Sequence, residues 1–179
     1  MSTVKTGTKH LALAGIFLAI GIIMPRLFHF AGQQAGTMFL PLFWGVVLAA
    51  LMLPMKYTLC ISIVLPILSN LLSGMPPIPM LYFMLIELVV YGVVLNLFSK
   101  KMSPFLAVAV SLLISRTVYC LAVVCAAELF HLPAPYAGLS VLLGNIALSI
   151  PGIALQIVVA PLIYKLYLRV DRHETSGTH

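Results

Sequence analysis

Charge is what this chain has least of. Of 179 residues, only 4 are acidic and 10 are Lys or Arg, 8% charged in all. A soluble domain carries about a quarter charged residues, so the composition excludes one. No Gly-x-Gly-x-x-Gly stretch or other nucleotide-binding loop occurs, which leaves no loop of the usual kind to cradle a phosphate chain. The three cysteines, Cys60, Cys120 and Cys125, lie within apolar stretches. Their odd number and spacing exclude a disulfide framework or a metal box, and they read as small buried hydrophobes. There is no Cys-x-x-Cys, no Ser/His pair on one helical face, no clustered acidic pair and no histidine pair at ligand spacing. Neither a catalytic centre nor a metal site is therefore expected. No linker separates regions of different composition, so residues 1–179 read as a single membrane-embedded domain.

What the chain has is hydrophobicity: 62% apolar residues and a mean hydropathy of +1.14. A helix needs roughly 20 apolar residues to cross a bilayer. Hydrophobic runs and Gly/Pro/charge punctuation predict an all-α bundle of six spans, at residues 10–29, 37–55, 57–73, 78–98, 104–129 and 138–168. Pro151 and Pro161 are expected to kink the long last span. Lys5 and Lys9 ahead of residues 11–24 have the look of a secretory signal. Pro25 and Arg26 follow without a clean small-x-small cleavage site, which favours a retained first span.

The net charge of +6 does not point to nucleic acid, because the cations sort by side. With both termini cytoplasmic, the inside holds Lys5, Lys9, Lys56, Lys100, Lys101, Lys165, Arg169 and Arg172, and the outside only Arg26, eight against one. This bias sets an even number of spans and their orientation. The inner joints are tight, whereas the outer ones (25–37, 73–79 and 131–138) are longer and rich in Gly and Pro. Such loops can fold over the mouth of a cavity. The external face is the expected functional one.

Two charged side chains, Glu87 and Arg116, fall deep within apolar segments. An ionisable group in hydrocarbon is costly unless it meets a cavity, a partner or a ligand. Glu87 lies about 15 Å below the outer end of the fourth segment, and Arg116 about 18 Å above the inner end of the fifth. In a bilayer about 30 Å thick those depths coincide. The pair either clasps two helices together or faces a ligand, with Arg116 on a carboxylate and Glu87 accepting from a ring N–H or hydroxyl. Tyr91 and Tyr119 stand one turn from Glu87 and Arg116 respectively. Asn145, Ser149, Gly152 and Gln156 form one polar face on the sixth segment, turned inward for helix–helix hydrogen bonds or ligand contact. Asn70 is placed to cap the third segment or line the pocket mouth. Arg26 and His29, with Phe28, Phe30, Gln33 and Gln34, occupy the first outer loop. Gly15/Ala19 and Gly45/Ala49 are small-xxx-small pairs, which let helices approach closely within the bundle or against another subunit.

Several stretches carry a resemblance to a known family: Met24-Pro25-Arg26-Leu27-Phe28-His29, residues 36–42, residues 68–77, Glu87-Leu88-Val89-Val90-Tyr91-Gly92, and Pro151-Gly152-Ile153-Ala154-Leu155-Gln156. In order and spacing the chain resembles the substrate-binding S component of an energy-coupling factor (ECF) transporter. The resemblance implies a multi-pass protein of the bacterial cell membrane that captures a vitamin-like small molecule from outside, without catalysis or a cofactor of its own. It implies a transmembrane coupling subunit and two cytoplasmic ATPases as partners, and a whole-body toppling that carries the site inward. Docking in that family uses an Ala-xxx-Ala pattern on the first helix, matched here by Gly15 and Ala19. Nickel and cobalt members begin Met-His, whereas this chain begins Met1-Ser2-Thr3, which speaks against a metal. Aromatic residues near the expected mouth (Phe28, Phe39, Trp44, Tyr82 and Tyr136) suit a planar ring, and Arg116 suits an acidic group. A membrane scaffold without transport and a small intramembrane enzyme are the competing expectations.

Overall fold

The structure, a computed structural model, describes residues 2–30, 38–130 and 139–176. Six helices follow in order: α1 (Ser2–Phe30), α2 (Pro41–Met52), α3 (Met55–Ser73), α4 (Met80–Phe98), α5 (Pro104–Phe130) and α6 (Leu139–Ser176). No strand occurs among the described residues. Among the described residues, five stretches are long and apolar enough to cross a membrane: Gly7–Leu27, Met55–Ser73, Met80–Phe98, Pro104–Leu129 and Leu143–Val170. The chain has the make-up of a multi-pass helical membrane protein. Pro151 and Pro161 both lie inside α6, which continues through them as one helix.

The second segment differs from expectation. Instead of a span over 37–55, α2 has 12 residues, about 18 Å of helix and short of a crossing. Prolines set both limits. Pro41 opens the helix directly after Leu40, whose φ is +47°, and its missing N–H is not needed at a first position. Leu53 is extended, as the residue before Pro54 is steered to be. Every residue from Pro41 to Leu51 is buried, with α1, α3, α4 and α6 packed around the helix. Hydropathy alone cannot separate such a helix from a span, because both are apolar on every side. The Gly45/Ala49 pair serves this packing. A Cβ at Gly45 would stand 2.6 Å from the Phe17 carbonyl oxygen and 3.2 Å from Gly21 Cα, so α1 and α2 touch backbone to backbone.

A buried helix end still needs partners for its last carbonyls. Asn96 of α4 supplies them, donating through Nδ2 to Ala50 O at 3.0 Å and Leu53 O at 2.8 Å. Thr58 Oγ1 donates to Ala49 O at 3.2 Å. Asn96 and Thr58 are themselves almost wholly buried. These bonds also join the ends of α2 and α4 to the start of α3.

Other contacts extend that end of the bundle. The His10 and Tyr57 rings are 5.8 Å apart, Lys9 Nζ lies 5.7 Å from the Tyr167 ring, and Lys165 Nζ lies 4.8 Å from the Phe105 ring. The starts of α1, α3 and α5 therefore meet the ends of α2, α4 and α6. Lys9, Lys56, Lys100, Lys101 and Lys165 belong to this end. At the other end Arg26 Nη2 donates to Leu72 O at 3.3 Å, joining the ends of α1 and α3. Asn96→Leu, which strands two buried carbonyls, is expected to lower stability by roughly 1–3 kcal/mol. The check is the melting temperature of the detergent-solubilised protein, and an unchanged value would refute the capping role.

Candidate functional site

Helix α5 runs back along α4 after the short turn at 99–103, which brings Arg116 beside Glu87. The Arg116 Nε to Glu87 Oε1 distance is 3.1 Å, with the Glu87 side chain 2% and the Arg116 side chain 15% exposed. The contact is close but not aligned as a hydrogen bond: Oε1 has no hydrogen-bond partner, and neither does the buried Arg116 Nη2. Aromatic rings hold the guanidinium from two directions. Its Cζ lies 5.7 Å from the Phe43 ring centroid and 5.7 Å from that of Tyr119, a cation–π arrangement strengthened by desolvation. Tyr119 is in turn fixed by its hydroxyl, which donates to Met80 Sδ at 3.1 Å.

Beside this pair opens a cavity of about 430 Å³, within the range that holds a small ligand. Its apolar walls are Pro25 at the end of α1, Leu40 to Phe43 at the start of α2, Met75 to Pro77 in the α3–α4 turn, and Met80 and Met84 on α4. Its polar groups are Ser69, Glu87, Arg116, Tyr119, Asn145 and Ser149. Nearly all come from the halves of the helices nearest Arg26, so the cavity belongs to the end opposite the lysines.

The α3–α4 turn covers one side and is pinned from below. Gly74 N–H donates to Asn70 O at 2.7 Å, closing α3. Ser69 Oγ then donates to Met75 O at 3.0 Å, and Asn70 Nδ2 to Pro76 O at 2.7 Å. Asn70 thus holds the turn and does not itself line the cavity, whereas its neighbour Ser69 does both.

The polar face of α6 divides along its length. Asn145 and Ser149 reach the cavity. Gly152 permits contact with the segment before α2, since a Cβ there would overlap the Met38 carbonyl oxygen and lie 2.8 Å from Phe39 Cα. Gln156 is fully buried, and its Nε2 lies 3.5 Å from Leu40 O. It supports the start of α2 from outside the cavity. Tyr91 is likewise fully buried, with its ring 5.4 Å from Phe43, and it backs the cavity wall without lining it.

Arg26 is exposed and engaged with Leu72 O, away from the lining. The side chains of Phe28, His29 and Phe30, together with Gln33, Gln34 and Tyr136, lie outside the described residues. Of the other aromatics expected at the mouth, Trp44 is buried in the core, Tyr82 is exposed and Phe39 is half-buried, and none lines the cavity. The lining rings are Phe43 and Tyr119. Phe43 carried no distinguishing signal within a wholly apolar helix, whereas Ser69, a hydroxyl next to Asn70 in an apolar run, was a legible one.

Gly15 and Ala19 are exposed on α1, and a Cβ at Gly15 would meet nothing within 4 Å. Among the described residues no group of three or more His, Cys, Asp or Glu is placed to hold a metal. No protein-family model, curated protein or solved structure matches the chain.

Removing one member of a buried ion pair strands the other, at a cost of roughly 3–5 kcal/mol. Glu87→Leu and Arg116→Met are each expected to destabilise the bundle by about that much, and the double variant by less than either alone. Reversible unfolding in mixed micelles measures the cycle. Additive losses would show that the two groups do not depend on each other.

Proposed function

We propose that this chain is the substrate-capture subunit, or S component, of an ATP-driven ECF-type importer in a bacterial cell membrane. Its substrate is a vitamin-like small molecule taken from the outside. The observation that carries the reading is the cavity of about 430 Å³ beside the Glu87–Arg116 pair. A pair whose only task is to clasp two helices has no need of a ligand-sized space next to it. The cavity lies at the lysine-poor end, which the charge bias assigns to the exterior, so solute enters from outside and both termini are cytoplasmic. The central α2, enclosed by protein, needs no bilayer-spanning length of its own, and only together with its flanking residues does it carry the chain back between the two ends as the sixth traversal.

The exposed Gly15 and Ala19 support the partner assignment. Small side chains on a lipid-facing helix allow another helix to approach its backbone closely. The transmembrane coupling subunit docks there, and two cytoplasmic ATPases supply the energy, while this chain binds without turnover.

Gentle purification of the chain from its native membrane, with mass spectrometry of what accompanies it, tests the reading. A released small molecule, a membrane subunit and ATPases are expected. Gly15→Leu with Ala19→Leu is expected to lose the subunits and retain the small molecule, because both positions are exposed. Purification without small molecule or ATPase would overturn the assignment.

A further inference from the structure

The chemistry of the cavity narrows what it accepts, given the capture reading on which this inference rests. Its lining holds one acid, Glu87, and one base, Arg116, already 3.1 Å apart. A carboxylate ligand on Arg116, the guest expected from the sequence, would compete with Glu87 and leave that carboxylate buried without compensation. A cationic ligand on Glu87 would do the same to Arg116. Either breaks a buried pair, the costly change in a medium of low dielectric. The protein also leaves hydrogen-bonding capacity within the pair, since the buried Glu87 Oε1, which faces Arg116 Nε, and the buried Arg116 Nη2 each lack a hydrogen-bond partner. The carboxylate wants a donor and the guanidinium beside it an acceptor.

We infer that the cavity takes an uncharged ring compound carrying an N–H beside a C=O, the edge of a lactam or cyclic amide. The N–H donates to the Glu87 carboxylate and the C=O accepts from the Arg116 guanidinium. Both charges are satisfied and the ion pair persists. The remainder of the ring system packs on Met75, Met80 and Met84, whose polarisable thioethers suit an aromatic face. Ser69, Asn145 and Ser149 remain for substituents away from that edge.

The test uses the full chain in lipid nanodiscs and four bicyclic probes of nearly equal size. These are isoquinolone, N-methylisoquinolone, isoquinoline carboxylate and the N-methylisoquinolinium cation, with affinities read by ligand-observed NMR. Isoquinolone is expected to bind tightest, with N-methylation weakening it at least about tenfold through loss of the donor. In the Glu87→Leu/Arg116→Met variant, which strands no charge, the two neutral probes are expected to differ by less than about twofold. Tighter binding of the carboxylate or the cation, equal binding of the two neutral probes, or no binding of isoquinolone at millimolar concentration would each overturn the inference. The capture reading fails separately. If the purified chain releases an anionic or cationic small molecule, capture stands and the lactam edge falls; if it releases none, capture itself falls.

Discussion

An ionised group cannot sit alone in hydrocarbon, and this bundle holds two of them together deep among its helices. Glu87 and Arg116 meet at 3.1 Å on adjacent antiparallel helices. That position requires α4 and α5 to hold one register, and it sets the guanidinium between Phe43 and Tyr119 with the cavity opening beside the pair. A slip of one residue along either helix would carry a charge about 1.5 Å along the axis and turn it by about 100° away from its partner. The pair therefore specifies the local packing more sharply than the surrounding apolar contacts, which gain little over contact with lipid.

Most of the other buried polar groups serve the backbone. Asn96 and Thr58 close the end of α2, Gln156 supports its start, and Ser69 and Asn70 hold the α3–α4 turn. The effect is to fix a short central helix at both ends and, before Pro54, to supply donors to last carbonyls that would otherwise be stranded. Because α2 is fixed, its first turn can present Leu40 to Phe43 as a firm wall of the cavity. The structure thus separates the residues that support the cavity from those that line it. Tyr91 and Gln156 work behind the wall, while Asn145, Ser149 and the ion pair work on its surface.

Long apolar runs, punctuation by Gly and Pro, and the placement of lysines were all readable in the chain, because lipid imposes them through length and charge alone. Counting residues from the ends of two helices was enough to place Glu87 and Arg116 at one depth. Helical periodicity was enough to put Asn145, Ser149, Gly152 and Gln156 on one inward face. What periodicity could not reveal is which of those four touch a cavity and which touch backbone, since that depends on where α2 begins. The same limit hid the length of α2: an apolar helix surrounded by protein and one surrounded by lipid have the same composition. Phe43 and the three lining methionines were hidden for a related reason, one apolar residue among many. Asn96, a lone amide late in an apolar helix, was a signal left unused.

The central claim is that the space beside Glu87 and Arg116 is open to solutes from the side that carries Arg26. Site-directed labelling addresses this directly, in a background with Cys60, Cys120 and Cys125 replaced by Ala. Met84→Cys and Asn145→Cys, both half-buried on the cavity wall, should react with a membrane-impermeant thiol reagent added outside intact cells. Ser111→Cys, wholly buried away from the cavity, should stay inert. Labelling of Met84→Cys and Asn145→Cys only from the face bearing Lys100 and Lys101, or no labelling from either face, would contradict the account.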